Sequence, residues 1–257
     1  MNVYHITYEP HMETAYLYFW GCNFSCRGCI RRKNIYDIHL RAEKYRSNIS
    51  NLIPSEWLED PRKASEPLPV KFLSLSEITD VVNDLKPKRV TCLGGEPSID
   101  PDLSDLFAGL KKSFRTYNTL LTNGYRLPVL DAVDEIQISL KAFDNRLHRF
   151  FTGKSNSSIL KNLRSVYAYG PKLRVESIFI PGLIDEEEIE AIARFIADID
   201  AQIPYRIDAF IPVPGTDWRR PTPQEIEDAT SAAGEYLKNV SYLCGKERPR
   251  SQIRKIV

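Results

Sequence analysis

The sequence predicts an α/β fold: an open or partial barrel of six strand–helix units around a parallel sheet. Short apolar segments rich in β-branched residues alternate with amphipathic helical segments, which is the pattern of consecutive βαβ units. The chain has 257 residues, shows no internal repeat and contains no low-complexity linker. One domain spanning residues 1–257 is therefore expected, with its active site at the carboxyl ends of the strands.

Six segments along the chain are typical of buried strands, because they are short, apolar and bounded by turn-forming residues. The predicted strands cover residues 14–20, 89–93, 118–121, 135–140, 174–180 and 205–211. Each segment is followed by helical or connecting sequence long enough for a crossover, so neighbouring strands are expected to run parallel.

Helices are predicted from apolar residues spaced three and four apart and from capping signals. The first four predicted helices cover residues 74–85, 102–113, 157–169 and 185–199. In the fourth helix, Asp185 followed three residues later by Glu188 predicts a capping box. Thr222, Pro223 and Glu225 predict the same arrangement at the start of a last helix, with proline at its first position.

The domain is expected to have a core with two additions. The core covers about residues 14–218. Residues 31–71 are basic, aromatic and proline-containing, fit no single element, and are interpreted as an insertion or lid. Residues 219–257 are expected to form a C-terminal helix and tail.

Composition argues against several classes of partner. The formal net charge is +1, so no overall field favours nucleic acid or an acidic membrane surface. The chain has no run of about eighteen apolar residues, and its N-terminus has no basic or apolar targeting pattern. A cytoplasmic protein with reduced thiols is expected, with no membrane and no nucleic-acid partner.

Three cysteines with the spacing C-x3-C-x2-C directly follow the first predicted strand: Cys22, Cys26 and Cys29. A cubane iron–sulfur cluster is normally held by four thiolates, so three ligands would leave one iron open. A structural zinc site completed by His39 is the alternative, and the loop alone does not decide between them. A disulfide is disfavoured for an odd set of clustered cysteines without a secretory signal. Cys92 and Cys244 are interpreted as packed thiols.

Unusual residues also follow the next three predicted strands. The second strand ends in Gly94-Gly95-Glu96-Pro97, the third in Thr122-Asn123-Gly124, and the fourth in Ser139-Leu140-Lys141. Each segment by itself is an ordinary turn or a solvated lysine. Because the carboxyl ends of parallel strands meet at one edge of a sheet, all three segments are expected to converge with the cysteine loop.

The cysteine loop followed by a strand ending in Gly-Gly-Glu-Pro resembles the radical S-adenosylmethionine (SAM) enzymes. The resemblance implies a partial (β/α)6 barrel and a [4Fe–4S] cluster on Cys22, Cys26 and Cys29. It further implies that SAM binds the open iron through its amino and carboxylate groups. Reductive cleavage would then produce methionine and a 5′-deoxyadenosyl radical that abstracts hydrogen from a substrate. With this resemblance, the cluster is favoured over zinc.

The same resemblance implies which strand-end residues contact SAM. The expected cofactor-binding residues are Gly28, Gly94, Gly95, Glu96, Pro97, Thr122, Asn123 and Lys141. Glycines let the backbone approach closely, and Glu96 with nearby carbonyls can accept hydrogen bonds from the SAM ammonium. Lys141 and Ser139 are the expected catalytic residues, with Lys141 facing the SAM carboxylate.

A narrower resemblance, from about residue 16 to residue 218, is to the activating enzymes of glycyl radical enzymes. It rests on residues 139–144, on residues 152–163 and on the run Ile180-Pro181-Gly182-Leu183-Ile184-Asp185. The resemblance implies that the substrate is a glycyl radical enzyme. It also implies that reduced flavodoxin or ferredoxin donates the electron.

Four positions depart from the pattern of the activating enzymes. Ser139 replaces the aspartate of their D-x-K motif, and Leu121 replaces the acidic residue that precedes T-N-G. Gly28 stands where a bulky residue usually precedes the third cysteine, and residues 210–215 contain no histidine. Because these positions are expected near SAM or the substrate, the resemblance indicates the cofactor chemistry better than the substrate.

Two other functions stay open. A radical SAM enzyme that acts on a small molecule, as in the 7-carboxy-7-deazaguanine synthase branch, would carry Gly-Gly-Glu-Pro equally well. A non-catalytic zinc-binding domain is the remote alternative.

The roles of two carboxylates also stay open. Glu176 in the fifth strand and Asp208 in the sixth either face the ligand or pair with Arg174 or Arg206.

Overall fold

The computed structural model describes residues 1–29, 71–213, 215–244 and 253–257. The predicted insertion over 31–71 therefore lies outside the described residues, apart from Lys71, and so does His39. The described strands are β1 (Val3–Glu9), β2 (Thr14–Phe19), β3 (Arg89–Gly94), β4 (Tyr117–Thr122), β5 (Glu135–Ser139), β6 (Lys172–Phe179), β7 (Tyr205–Ala209), β8 (Val240–Leu243) and β9 (Arg254–Lys255).

All of these strands belong to one sheet, in the order β8-β7-β6-β5-β4-β3-β2-β1-β9. Strands β2 to β8 run parallel, whereas β1 pairs antiparallel with β2 and β9. The six predicted strands correspond to β2 to β7, which confirms the α/β fold with a mostly parallel, open sheet. Strand β1 was missed because buried polar residues, His5, Thr7 and Glu9, interrupt its apolar pattern. Strands β8 and β9 were also missed, because four and two residues are too short for a periodic signal, so the predicted C-terminal helix and tail contains two sheet strands as well.

Helices follow most of the parallel strands. In the described ranges they are α1 (Leu75–Leu85), α2 (Leu103–Phe114), α3 (Asn145–Thr152), α4 (Ser157–Tyr169), α5 (Glu186–Ala197) and α6 (Pro223–Gly234). Helix α3 has eight residues and was not predicted, because two turns carry little periodic signal. None of the described helices is long and apolar enough to cross a membrane.

The two predicted capping boxes have opposite outcomes. At α6, the Thr222 hydroxyl accepts from the backbone N–H of Glu225 at 3.2 Å, and the Glu225 carboxylate accepts from Thr222 N–H at 2.7 Å. At α5, the Asp185 side chain makes no capping hydrogen bond, so that prediction is wrong. Glu188 instead accepts from the backbone N–H of Asp144 at 2.8 Å. A tertiary contact replaces the local one.

The parallel strands carry different residues on their two faces. On β5, Ile136 and Ile138 belong to the buried core, whereas Glu135, Gln137 and Ser139 alternate with them on the opposite face. This polar face leads to the edge where the carboxyl ends of β2 to β7 meet. The candidate site lies at that edge.

Candidate active site at the carboxyl edge of the sheet

A cavity of about 480 Å³ lies at the carboxyl ends of the parallel strands. Every predicted site residue except Pro97 lines it: Cys22, Cys26, Gly28, Cys29, Gly94, Gly95, Glu96, Thr122, Asn123, Ser139 and Lys141. Pro97 is buried and begins a short 3-10 helix, Pro97–Ile99, beside the cavity. The strand ends therefore converge as the parallel fold predicts.

The cysteine loop is docked onto the end of helix α3. The backbone N–H of Ser25 donates to the carbonyl of Thr152 at 3.0 Å, and that of Arg27 donates to Phe151 at 2.9 Å. The Arg27 guanidinium lies 4.3 Å from the centre of the Phe150 ring. An element that was not predicted thus positions the three thiols.

Gly94 and Gly95 allow a second backbone contact to the cysteine loop. The N–H of Gly95 donates to the carbonyl of Phe19 at 2.8 Å, and the N–H of Glu96 donates to Gly21 at 2.7 Å. A Cβ on Gly95 would lie 2.0 Å from the Gly21 carbonyl oxygen. Gly94 adopts a φ of 117°, a value that only glycine accepts readily. Both glycines are thus required for the close approach of the two loops.

The Glu96 carboxylate connects the ends of β3 and β4. It is 1% exposed and accepts from the Thr122 hydroxyl at 2.6 Å, from Asn123 N–H at 2.6 Å and from Ser98 N–H at 3.1 Å. Burial raises the pKa of Glu96, although these hydrogen bonds oppose the shift. No cationic side chain of the described residues pairs with it, which leaves a buried carboxylate without a countercharge.

Asn123 extends this network to the first cysteine. Its side-chain amide donates to Asn23 Oδ1 at 2.6 Å and lies 3.8 Å from the Cys22 sulfur, which also accepts from Phe24 N–H at 3.4 Å. Burial of the sulfur raises the pKa of the Cys22 thiol to about 12, whereas the hydrogen bonds from Phe24 and Asn123 oppose this shift. Amide donors around a sulfur stabilise the thiolate form that metal ligation requires.

Lys141 follows β5 and has no ion pair or hydrogen bond with any residue in the described part of the chain. Its segment is held in place by its neighbours. Glu188 accepts from the backbone N–H groups of Phe143 and Asp144, and Asn156 donates to the Phe143 carbonyl at 2.6 Å. The ammonium is therefore carried by an ordered loop and is available to an anion.

Ser139 and Gly28 have unusual surroundings. The Ser139 hydroxyl is buried and has no hydrogen-bond partner among the described residues. A Cβ on Gly28 would lie 2.8 Å from the Phe210 ring and 3.0 Å from the Phe151 ring. The space that a side chain at position 28 would need is thus already filled by aromatic rings, with Trp218 packed behind them.

Glu176 and Asp208 both line the cavity and both pair with Arg206. Arg206 Nη2 lies 2.6 Å from Glu176 Oε2 and 2.9 Å from Asp208 Oδ2, and its Nε lies 2.7 Å from Asp208 Oδ1. Arg174 pairs with Glu135 instead, at 3.4 Å. Glu176 and Asp208 were expected either to face the ligand or to pair with an arginine. Both residues do both: they line the cavity and pair with Arg206.

The donor side chains of the described residues do not form a site for a single metal ion. In the described ranges, no three His, Cys, Asp or Glu side chains surround one point closely enough to hold one ion. A zinc ion requires its ligands within about 2.0–2.3 Å of itself. Three cysteines that line one cavity are a donor set that a [4Fe–4S] cluster could use, with one iron left open.

The remaining cysteines lie outside this group. Cys92 is buried in β3, where burial raises the pKa of its thiol, as expected for a packed thiol. Cys244 is partly buried against the core and does not line the cavity.

Comparison with known proteins gives one family and several relatives. A model of the Radical SAM superfamily matches residues 16–196. The chain is 30% identical over 246 residues to a candidate glycyl-radical enzyme activating enzyme of Methanocaldococcus jannaschii, covering 93% of this chain and 84% of that protein. It is 32% identical to the isethionate sulfite-lyase activating enzyme of Oleidesulfovibrio alaskensis over 127 residues, 45% of this chain and 41% of that one.

Solved structures agree in fold. SuiB of Streptococcus suis bound to SAM superposes with a TM-score of 0.60 at 14% identity, over 86% of this chain and 48% of that one. A domain of a pyruvate-formate lyase-activating enzyme from Bacteroides vulgatus superposes with a TM-score of 0.50 at 24% identity, over 60% of this chain and 98% of that domain. These identities are low, so the likeness concerns the fold alone.

Proposed function

The chain belongs to the radical SAM superfamily, and on that premise we propose that it is an activating enzyme that abstracts a hydrogen atom from a glycine of a partner enzyme. The family implies an enzyme with a [4Fe–4S] cluster and SAM. The relatives with activating-enzyme names support a glycyl radical enzyme as the substrate. The observation that carries the proposal is the cysteine triplet in one cavity with an unpaired lysine and a buried carboxylate.

Cys22, Cys26 and Cys29 would hold the cluster as three thiolate ligands. When bound, the reduced cluster supplies the electron that splits SAM into methionine and a radical fragment able to take a hydrogen atom. The residues here fit this group because their sulfurs share one wall and Cys22 already receives amide donors. Reduced flavodoxin or ferredoxin would be the electron donor, in the cytoplasm.

The other residues would bind and orient SAM. Lys141 places a free ammonium opposite the SAM carboxylate. The glycines at 94 and 95 keep side chains away, so main-chain atoms approach the ligand. Glu96 was expected to accept from the SAM ammonium. Its three internal hydrogen bonds favour a second task, holding Thr122 and Asn123 in position.

The domain assignment also stays a proposal. A single domain over residues 1–257 would contain a core at about 14–218, the insertion or lid over 31–71, and a C-terminal helix and tail over 219–257, with β1, β8 and β9 extending the sheet of the core. The family match over residues 16–196 falls inside that core.

The test is an anaerobic reconstitution followed by incubation with dithionite, SAM and a pentapeptide whose central glycine carries two deuterium atoms. We expect 5′-deoxyadenosine that contains deuterium from the peptide, measured by mass spectrometry. Replacing Cys22, Cys26 and Cys29 together by alanine should abolish cluster and product. Reduced flavodoxin or ferredoxin in place of dithionite tests the electron donor.

A small-molecule substrate is the second candidate. The cavity volume of about 480 Å³ falls in the range of small-ligand sites. The chain is also 25% identical, over 51% of its length, to a probable GTP 3′,8-cyclase of Pyrococcus horikoshii. If the reaction forms 5′-deoxyadenosine but no deuterium passes to it from the glycine peptides, the result would favour this candidate. An enzyme like 7-carboxy-7-deazaguanine synthase is one form of it. Zinc without iron or labile sulfide would indicate the non-catalytic alternative.

A further inference from the structure

The wall of the cavity formed by β6 and β7 carries an excess of negative charge. Glu176 and Asp208 supply two carboxylates, and among the described residues Arg206 is the single cation that contacts both. Strands β6 and β7 stand four and five places along the sheet from β2, which precedes the cysteine loop. The acidic wall and the cysteine loop line the same cavity from different strands.

Both carboxylates retain unused acceptor capacity. Glu176 receives Arg206 and Gln137 on the same oxygen, Oε2, and no described residue donates to its Oε1. Each Asp208 oxygen receives one donor from Arg206 and can accept another. Burial and the charge of Glu176 raise the pKa of Asp208, whereas the charges of Arg206 and Lys141 lower it.

An independent observation points to a ligand at the same place. Ser139 lies in register with Glu176 on the neighbouring strand and lines the cavity. Its side chain is 7% exposed, and its hydroxyl has no partner among the described residues. A buried hydroxyl without a partner costs free energy, which a bound molecule could recover.

We propose that Glu176 and Asp208, with Ser139 beside them, form a subsite for a cationic side chain of the substrate. A guanidinium or ammonium supplies both the positive charge and the several N–H donors that the free acceptor sites require. Because this rests on the proposed function, the substrate is a peptide segment with arginine or lysine two positions from the target glycine. Arg206 positions the two carboxylates, and with Lys141 facing the SAM carboxylate one negative charge is left for the incoming group.

The test uses reconstituted protein with SAM and acetylated, amidated pentapeptides Xaa-Ala-Gly-Ala-Xaa. Xaa is arginine, its neutral analogue citrulline, or glutamate, and binding is measured by calorimetry without reductant. We expect the arginine peptide to bind about tenfold more tightly than the citrulline peptide, and the glutamate peptide more weakly still. The double variant Glu176→Gln/Asp208→Asn should remove this preference.

Glu135→Gln is the matched control, because Glu135 pairs with Arg174 on the same strand face but does not line the cavity. It should retain the preference for arginine. Equal binding of the arginine and citrulline peptides would overturn the proposal. So would a double variant that loses SAM affinity while keeping the peptide preference, because the pair would then belong to the cofactor.

Failure of this inference and failure of the proposed function give different results. Deuterium transfer from glycine without any preference for arginine would support the proposed function and overturn the subsite. A preference for arginine that depends on Glu176 and Asp208, without deuterium transfer, would support the subsite and count against activation of a glycine.

Discussion

Gly95 approaches Gly21 so closely that a Cβ atom on Gly95 would lie 2.0 Å from the Gly21 carbonyl oxygen. The contact joins the end of β3 to the turn that leads into the cysteine loop. The geometry of the three thiols therefore depends on Gly95, which lies 66 positions after Cys29 in the sequence.

Replacing Gly95 by alanine should displace the cysteine loop. Because the clash is with backbone rather than a flexible side chain, we expect a loss of about 1–3 kcal/mol in the free energy of unfolding and a severalfold lower iron content after reconstitution. Denaturant unfolding and iron analysis measure both. Gly109→Ala is the control, since nothing lies within 4 Å of its Cβ in helix α2, and it should gain about 0.5–1 kcal/mol. Normal iron content in the Gly95 variant would contradict the prediction.

Lys141→Ala should weaken SAM binding at unchanged iron content. A charge-assisted hydrogen bond contributes about 1.5–3 kcal/mol, so the dissociation constant should rise about tenfold or more. Calorimetry on the reconstituted variant measures it, and Lys161→Ala, which removes an exposed lysine from α4, is the control. If the Lys141 variant loses iron instead, the lysine is structural.

Glu188→Ala should disturb the segment that carries Lys141 without touching the cavity. It leaves the N–H groups of Phe143 and Asp144 without their acceptor, which should cost about 1 kcal/mol and weaken SAM binding severalfold. Glu188→Gln retains an acceptor oxygen and should restore part of both losses. The neighbouring Glu187→Ala, at an exposed position, should change neither measurement. An equal effect of the alanine substitutions at 187 and 188 would refute the positioning role.

Gly28→Ala should show that the space beside the third cysteine is filled by rings. The new methyl would meet Phe210 and Phe151, which should cost about 1–3 kcal/mol and lower the retention of iron. Combining it with Phe210→Leu should recover part of the lost stability, because the smaller leucine side chain leaves room for the methyl group at position 28. Iron release to a chelator measures the effect. A single variant as stable as the parent would mean that the rings move freely.

Local sequence patterns were sufficient for much of the fold. The strands β2 to β7 were predicted because each is a short apolar run between turn residues, and α4 was predicted with its observed bounds, 157–169. The convergence of the strand ends followed from the parallel topology alone. Strand β1 and helix α3 were missed, since buried polar residues interrupt the first and two turns are too short for a periodic signal. Strands β8 and β9 were missed because they have only four and two residues.

The sequence by itself determined the α/β fold, the cysteine triplet and the strand-end residues that gather around it, because spacing and periodicity are properties of neighbours in the chain. Only the tertiary structure decided how the loop is held, which cation Glu176 and Asp208 share, and that Glu188 serves the Lys141 segment rather than its own helix. Such contacts join residues as far apart as Ser25 and Thr152, separated by 127 positions. Partners at that distance are selected by packing, so no local pattern records them.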